Sequence, residues 1–260
     1  MKKFSLKGKT SVVFGGAGLI GREITSALAQ AGAKTLILDV KSSRGKETAS
    51  ELKGRGLDVG FTAFDVSKLK GIEAGLKRLW KDFSPIDIVV NSSYPRTADW
   101  GAKCGDVPLQ SWRKNVDMQL NSAFAVSRAM AELMKENRVK GSIINIGSIY
   151  GIVGNDFTVY EGTKMTSPAA YSAIKAGITG LTRYMASYYG GDGIRFNILC
   201  PGGIFDKQNP GFVKNYSKRT PLKRMGRPDE VASAALFLAS DASSYITGTA
   251  FMVDGGWTAV

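Results

Sequence analysis

Tyr171 and Lys175 lie four residues apart in YSAIKAGITGLTRYMASYY, and Ser148 lies upstream in GSIINIGSIYG. A helix brings residues i and i+4 to one face. An ammonium beside a phenol favours the phenolate. The pair can therefore pass a proton to or from a substrate oxygen at moderate pH, and a serine hydroxyl nearby can orient that oxygen. This is chemistry for interconverting an alcohol and a carbonyl, not for hydrolysis. The chain contains no histidine, which excludes a Ser-His-Asp triad, a histidine base and a histidine metal site. Cys104 and Cys200 stand too far apart in sequence to suggest metal ligation. No metal is expected, and both cysteines read as reduced thiols in a cytoplasm.

The elements that must position these residues follow from the apolar pattern. Runs bounded by turn residues predict strands at 10–14, 35–39, 59–64, 86–91, 142–147, 195–199 and 250–253. Helical spacing predicts helices at 20–31, 44–55, 68–83, 109–137, 168–189 and 228–239. Strand–helix alternation of this kind predicts a doubly wound parallel α/β sheet of about seven strands with helices on both faces. No repeat or linker divides residues 1–260, so a single domain is expected. Two segments, 152–167 and 202–221, break the rhythm with Gly, Pro and polar residues. Both follow predicted strands, at the sheet end where such folds bind ligands. Their composition predicts mobile loops that close over a ligand and build no core of their own.

The first strand runs into GGAGLIG and then a helix. In that setting Gly15, Gly18 and Gly21 allow a tight turn, close approach of a pyrophosphate and helix–strand packing. The helix N-terminus offers free N–H groups to phosphate. The motif makes the fold Rossmann-type. Asp39 ends the second strand, where a carboxylate binds both ribose hydroxyls of NAD and repels the 2′-phosphate of NADP. NAD is thus expected ahead of NADP, although Lys41 and Arg44 follow closely. Asp65 and Val66, after the third strand, suit an adenine, and Asn91 ends the fourth strand.

Hydrophobic residues make up 43% of the chain, and the net charge is +13. A globular protein is expected. No apolar run reaches membrane-spanning length, and the start lacks the apolar segment of a signal peptide. The basic residues are dispersed. They fit a solvated surface or an anionic small-molecule substrate better than a nucleic acid. Lys164, Lys207, Lys214 and Lys218, in or next to the two irregular segments, would suit a phosphorylated sugar or nucleotide-sugar.

In order along the chain, GGAGLIG, DV at 65–66, NSSY at 91–94, INIGS with Ser148, YSAIK at 171–175, PGG at 201–203 and the ending TGTAFMVDGG resemble the short-chain dehydrogenase/reductase family. The resemblance covers essentially the whole chain. It implies a Ser148–Tyr171–Lys175 catalytic set, with Tyr171 as proton carrier and Lys175 also holding the nicotinamide ribose. It implies cofactor contacts from Leu19 and Ile20 in the glycine motif and from Pro201, Gly202 and Ile204 after the sixth strand. Ser148, Tyr150, Lys164 and Gly203 would face substrate. The family's active-site Asn aligns with Gln119, which could relay protons through water; Asn121 follows two residues on. Leu19 stands where the common motif has its middle glycine, and the usual Thr after PGG is replaced around Asp206. Tyr160 and Lys164 repeat the four-residue spacing, but Pro168 opposes a helix through them. Tyr171 and Lys175 are therefore preferred, with an insertion of about ten residues before Tyr171. The C-terminal two-fifths resembles oxidoreductases of bacterial surface-sugar pathways, such as legionaminic acid and flagellin glycan. That implies a sugar, sugar phosphate or nucleotide-sugar as substrate. A gluconate- or polyol-type dehydrogenase and a generic carbonyl reductase are the alternatives, and a non-catalytic cofactor-binding regulator is a third. The family habit implies a homo-oligomer, a tetramer, joined through the helices at 109–137 and 168–189 and the terminal strand.

Overall fold

Seven strands form one sheet, and every adjacent pair is parallel, in a computed structural model that describes residues 2–260. The strands are β1 (Thr10–Phe14), β2 (Lys34–Asp39), β3 (Val59–Ala63), β4 (Ile88–Asn91), β5 (Ser142–Ile146), β6 (Arg195–Pro201) and β7 (Ala250–Val253), in the spatial order β3-β2-β1-β4-β5-β6-β7. Their apolar runs are continuous because helices cover both faces. Alternate side chains serve opposite faces: Val13 and Ile37 are register partners on one face, while Val12 and Leu36 are partners on the other.

On the first face lie α1 (Leu19–Gln30), α2 (Ser42–Gly54) and α8 (Pro228–Ala239), which bury Ile24, Leu28, Leu52, Val231 and Leu238. On the second lie α3 (Leu69–Phe83), α5 (Ser122–Glu136) and α6 (Ala169–Tyr189), with Leu76, Trp80, Met130 and Tyr189 inside. The strand order reverses between β1 and β4. Such a reversal opens a crevice at the carboxyl ends of the strands. Asp39, Asn91, Ser148 and Gly202 all follow or end strands on that rim.

Two expectations about elements need correction. The helix expected over 109–137 is α4 (Leu109–Val116), a π-helical stretch (Asp117–Asn121) and α5. A π-turn re-aims side chains inside an otherwise regular helix, and Gln119 sits in it. The segment 202–221 contains α7 (Pro210–Arg219). Its signals were present: Asn209 caps it by accepting from the Gly211 N–H at 2.8 Å, and Pro210 occupies the first turn. Phe212 and Tyr216 then lie one turn apart, both buried.

Candidate active site

Tyr171 and Lys175 share the first turns of α6, which Pro168 precedes in extended conformation. Lys175 is buried, at 6% exposure. Its ammonium donates to the Ile146 carbonyl at 2.8 Å, at the end of β5. It also lies 5.6 Å from the centroid of the Tyr171 ring and 5.7 Å from that of Tyr94. Among the described residues no carboxylate forms an ion pair with it. Burial without a counter-charge disfavours the cation and pulls the Lys175 pKa down to about 8.

Burial likewise pushes the Tyr171 phenol up, and the neighbouring Ser148 hydroxyl pulls against it. The lowering expected from Lys175 is therefore corrected: in the protein alone, desolvation of the phenolate outweighs the ammonium. Ser148 is buried and accepts from the Tyr150 N–H at 3.2 Å. Its hydroxyl stands beside Tyr171 without closing to a full hydrogen bond. Such bonds are often long before substrate binds.

Tyr160 and Lys164 have no shared helix. Tyr160 ends a short 3₁₀ turn (Phe157–Tyr160) and stacks on Phe212 at 5.3 Å, while Lys164 is exposed in the next turn. Tyr150 packs edge-on against Trp257 at 6.3 Å, its hydroxyl buried and unpaired beside Tyr160. Pro201 ends β6 and is buried, Gly202 N–H donates to Val253 O at 3.0 Å, and Ile204 bridges to Gly226. Gly203 N–H donates to the Tyr216 hydroxyl. A Cβ on Gly203 would meet the Tyr216 ring at 2.7 Å.

Gln119 is 4% exposed, and both its amide atoms lack protein partners. With Asn91, Ser93, Asn145 and Lys175 it lines a cavity of about 10 Å³, and Asn145 Oδ1 is unpaired as well. That is the room and polarity a single bound water needs. Asn121 points elsewhere: it is exposed and donates to Asp117 Oδ1 at 2.6 Å.

The glycine loop fits a dinucleotide. Gly15 has φ +69° and packs against the chain after β4, where an added Cβ would lie 2.7 Å from Ser92 O. A Cβ on Gly21 would lie 2.1 Å from Gly15 O. Gly18 caps α1 and provides no side chain, leaving the first-turn N–H groups to a ligand. Leu19 is exposed and Ile20 packs towards the core. Asp39 stands over this loop, its carboxylate accepting from Ala17 N at 3.3 Å and Lys41 N at 3.1 Å. Lys41 and Arg44 are exposed and form no ion pair with it. Asp65 spends one oxygen on Ser67, at 3.0 Å from its N–H and 2.6 Å from its hydroxyl. Val66 is buried in the core.

The two irregular segments do build a core, contrary to expectation. Val159 from one and Phe212 and Tyr216 from the other close with Ile149, Met225 and Trp257 into an apolar cluster beside the site. Tyr94, the last residue of the NSSY motif, and Arg96 and Trp100 after it also border the site, a role their sequence pattern did not assign them. Tyr94 and Trp100 stand 5.8 and 6.3 Å from the Tyr171 ring, edge to face. The available signal was an aromatic- and arginine-bearing loop, NSSYPRTADW, at the carboxyl end of β4.

Residues 16–258 match the family described as Enoyl-(Acyl carrier protein) reductase. A 3-oxoacyl-(acyl-carrier-protein) reductase of Chlamydia muridarum is 34% identical, covering 96% of this chain and 98% of its own. Galactitol 2-dehydrogenase of Rhizobium johnstonii is 35% identical over 99% and 98%. Post-translational flagellin modification protein A of Campylobacter coli is 29% identical over 97% and 99%. Among solved structures, a gluconate 5-dehydrogenase from Burkholderia cenocepacia in complex with NADP and tartrate superposes with TM-score 0.88 at 28% identity, covering 99% and 98%. No helix among the described residues is long and apolar enough to cross a membrane. With its seven-stranded parallel sheet, its glycine loop and these relatives, the chain belongs to the short-chain dehydrogenase/reductase family and is an NAD(P)-dependent oxidoreductase acting on CH–OH groups.

Proposed function

We propose that the protein interconverts an alcohol and a ketone on a sugar, sugar phosphate or nucleotide-sugar, with NAD as the preferred cofactor. One observation supports the reading: Tyr171 stands beside Ser148 and Lys175 and packs edge to face with Tyr94 and Trp100, with Arg96 over the Tyr94 ring. When bound, the nicotinamide accepts or donates the hydride. Tyr171 takes or returns the hydroxyl proton, and Ser148 holds the same oxygen by its hydroxyl. Lys175 has one N–H committed to Ile146 O and others free for the ribose and for a water held by Gln119 and Asn145. That water would connect the buried ammonium to the polar cavity. Asp39 would receive the adenosine ribose, and Asp65 and Val66 would receive the adenine.

The relatives named for galactitol and gluconate, and the tartrate bound by the latter, support a polyhydroxylated substrate. The flagellin-modification relative supports the surface-sugar reading. The acyl-carrier-protein reductase among the relatives keeps a simple ketone or acyl substrate as the competing reading. Two free cysteines, Cys104 exposed and Cys200 buried, fit a reducing cytoplasm. The half-exposed edge strand β7, together with Phe124, Tyr184 and Tyr188 exposed on α5 and α6, supports association into a homotetramer. The test is NAD(P) reduction or oxidation across a panel of sugars, sugar acids, sugar phosphates, nucleotide-sugars and a 3-oxoacyl thioester. Turnover of a carbohydrate ahead of the thioester is expected; the reverse order would overturn the reading.

A further inference from the structure

We infer that the loop after β4 forms a substrate subsite for an anionic carbohydrate, with Tyr94 and Trp100 as its wall and Arg96 as its anion-binding group. This rests on the carbohydrate reading and deepens it.

Three rings meet at the catalytic end of α6. Tyr94 and Trp100 are 5.8 Å apart at 83°, and each lies nearly perpendicular to Tyr171. The Trp100 indole N–H donates to the Tyr94 hydroxyl at 2.7 Å, so the two rings hold one another in place. Perpendicular rings of this kind present a flat apolar face and a polar edge. A sugar offers the matching surface, with C–H groups on one face and hydroxyls around the rim.

Arg96 adds the charge. Its guanidinium lies 5.2 Å from the Tyr94 ring centroid, an arrangement of cation over aromatic face. Arg96 is exposed and makes no ion pair among the described residues. Its planar fork matches a carboxylate or a phosphate. Arg96 and Tyr171 both neighbour the Tyr94 ring, at 5.2 and 5.8 Å from its centre. The guanidinium would then hold an acid group at one end of a substrate whose carbinol reaches the Tyr171 hydroxyl at the other.

The loop is fixed in advance of binding. Asn115, 2% exposed on α4, accepts from the Thr97 N–H at 3.1 Å and donates to the Thr97 hydroxyl at 2.8 Å. Ser111, one turn earlier, donates to Asp99 at 2.6 Å. These bonds anchor the stretch between Arg96 and Trp100 and tie the loop to the helix that leads into Gln119. A site held in this way loses little on ordering when it binds.

The experiment uses the whole protein, wild type and Arg96→Ala and Arg96→Lys, with gluconate, a hexose 6-phosphate and the neutral polyols galactitol and threitol. Loss of a charge-assisted contact predicts that Arg96→Ala raises KM for the anionic substrate by about ten- to a hundredfold. Its kcat, its KM for NAD and its KM for a neutral polyol should stay near wild type. Arg96→Lys should recover part of the loss, and the larger effect of the two acids tells carboxylate from phosphate. Wild-type KM for an anionic sugar in Arg96→Ala overturns the subsite alone. Failure of the wild-type protein on every carbohydrate overturns the carbohydrate reading, and the subsite falls with it.

Discussion

The ammonium of Lys175 lies 5.6 Å from the centre of the Tyr171 ring and is anchored to the Ile146 carbonyl rather than to any carboxylate. The sheet thus positions the helix pair: the end of β5 fixes Lys175, and Lys175 faces the phenol. A buried cation held only by a carbonyl and two aromatic faces is an unstable arrangement by itself. Its persistence here marks a functional group whose other N–H donors await partners.

That arrangement has a stability signature. The Lys175 pKa falls from the ordinary lysine value to about 8 on folding. Above the unfolded value both states are neutral; below about pH 8 the folded protein carries a buried charge. The cofactor-free protein therefore gains stability as pH rises from about 8 towards the ordinary lysine value, by on the order of 3 kcal/mol in full. Lys175→Met should match or exceed wild-type Tm at pH 7, and the difference should move in favour of wild type as pH rises through that window. A wild-type advantage at pH 7 that does not change with pH would count against the buried charge.

Asp39 should set cofactor choice. Its carboxylate sits over the glycine loop on two backbone N–H groups, while Lys41 and Arg44 remain outside. Titration of the wild-type protein should give tighter binding of NAD than of NADP. Asp39→Ala should narrow the gap by about tenfold or more, as expected for removing a like-charge clash. Equal affinities in the wild type would show that Lys41 or Arg44 dominates.

Phe212 should couple stability to substrate binding. It is buried, stacks on Tyr160 and joins the two segments that flank Tyr171. Phe212→Ala should cost about 3–5 kcal/mol in urea unfolding. It should raise substrate KM more than KM for NAD, because Phe212 joins both irregular segments while the glycine loop takes no part in their cluster. An equal effect on both constants would mean general loosening instead.

The paired rings of Tyr184 and Tyr188, stacked at 6.0 Å and both exposed on α6, should lie in a subunit interface. Light scattering of the wild type should give a tetramer mass. Tyr184→Glu with Tyr188→Glu should lower it to dimer or monomer, since buried unpaired carboxylates oppose association. A wild-type monomer would defeat the proposal.

Most of the frame could be read from the residues. The apolar runs located all seven strands to within two residues at each end, because strands buried on both faces are continuous in sequence. The glycine loop was legible for the same local reason: only residues without a Cβ fit between Gly15, Gly21 and Ser92. What escaped depends on contacts between distant segments. The segment holding α7 reads as a loop because Gly, Pro and Lys hide the Phe212–Tyr216 stripe, whose partners Val159 and Trp257 are far away in sequence. Tyr94 and Trp100 gain meaning only where the chain after β4 folds back over α6. Raising of the Tyr171 pKa depends on burial, which a four-residue spacing does not report.

The most direct test of the central claim compares Tyr171→Phe with Tyr160→Phe. Each variant is assayed for turnover on the best carbohydrate of the wild-type protein and for NAD affinity by fluorescence titration. Tyr171→Phe should lose at least about a hundredfold in turnover and bind NAD nearly as the wild type does, since the ring still packs and only the transferable proton is gone. Tyr160→Phe should keep most of its turnover. An inactive Tyr160→Phe beside an active Tyr171→Phe would contradict the account and move the proton carrier to the other tyrosine.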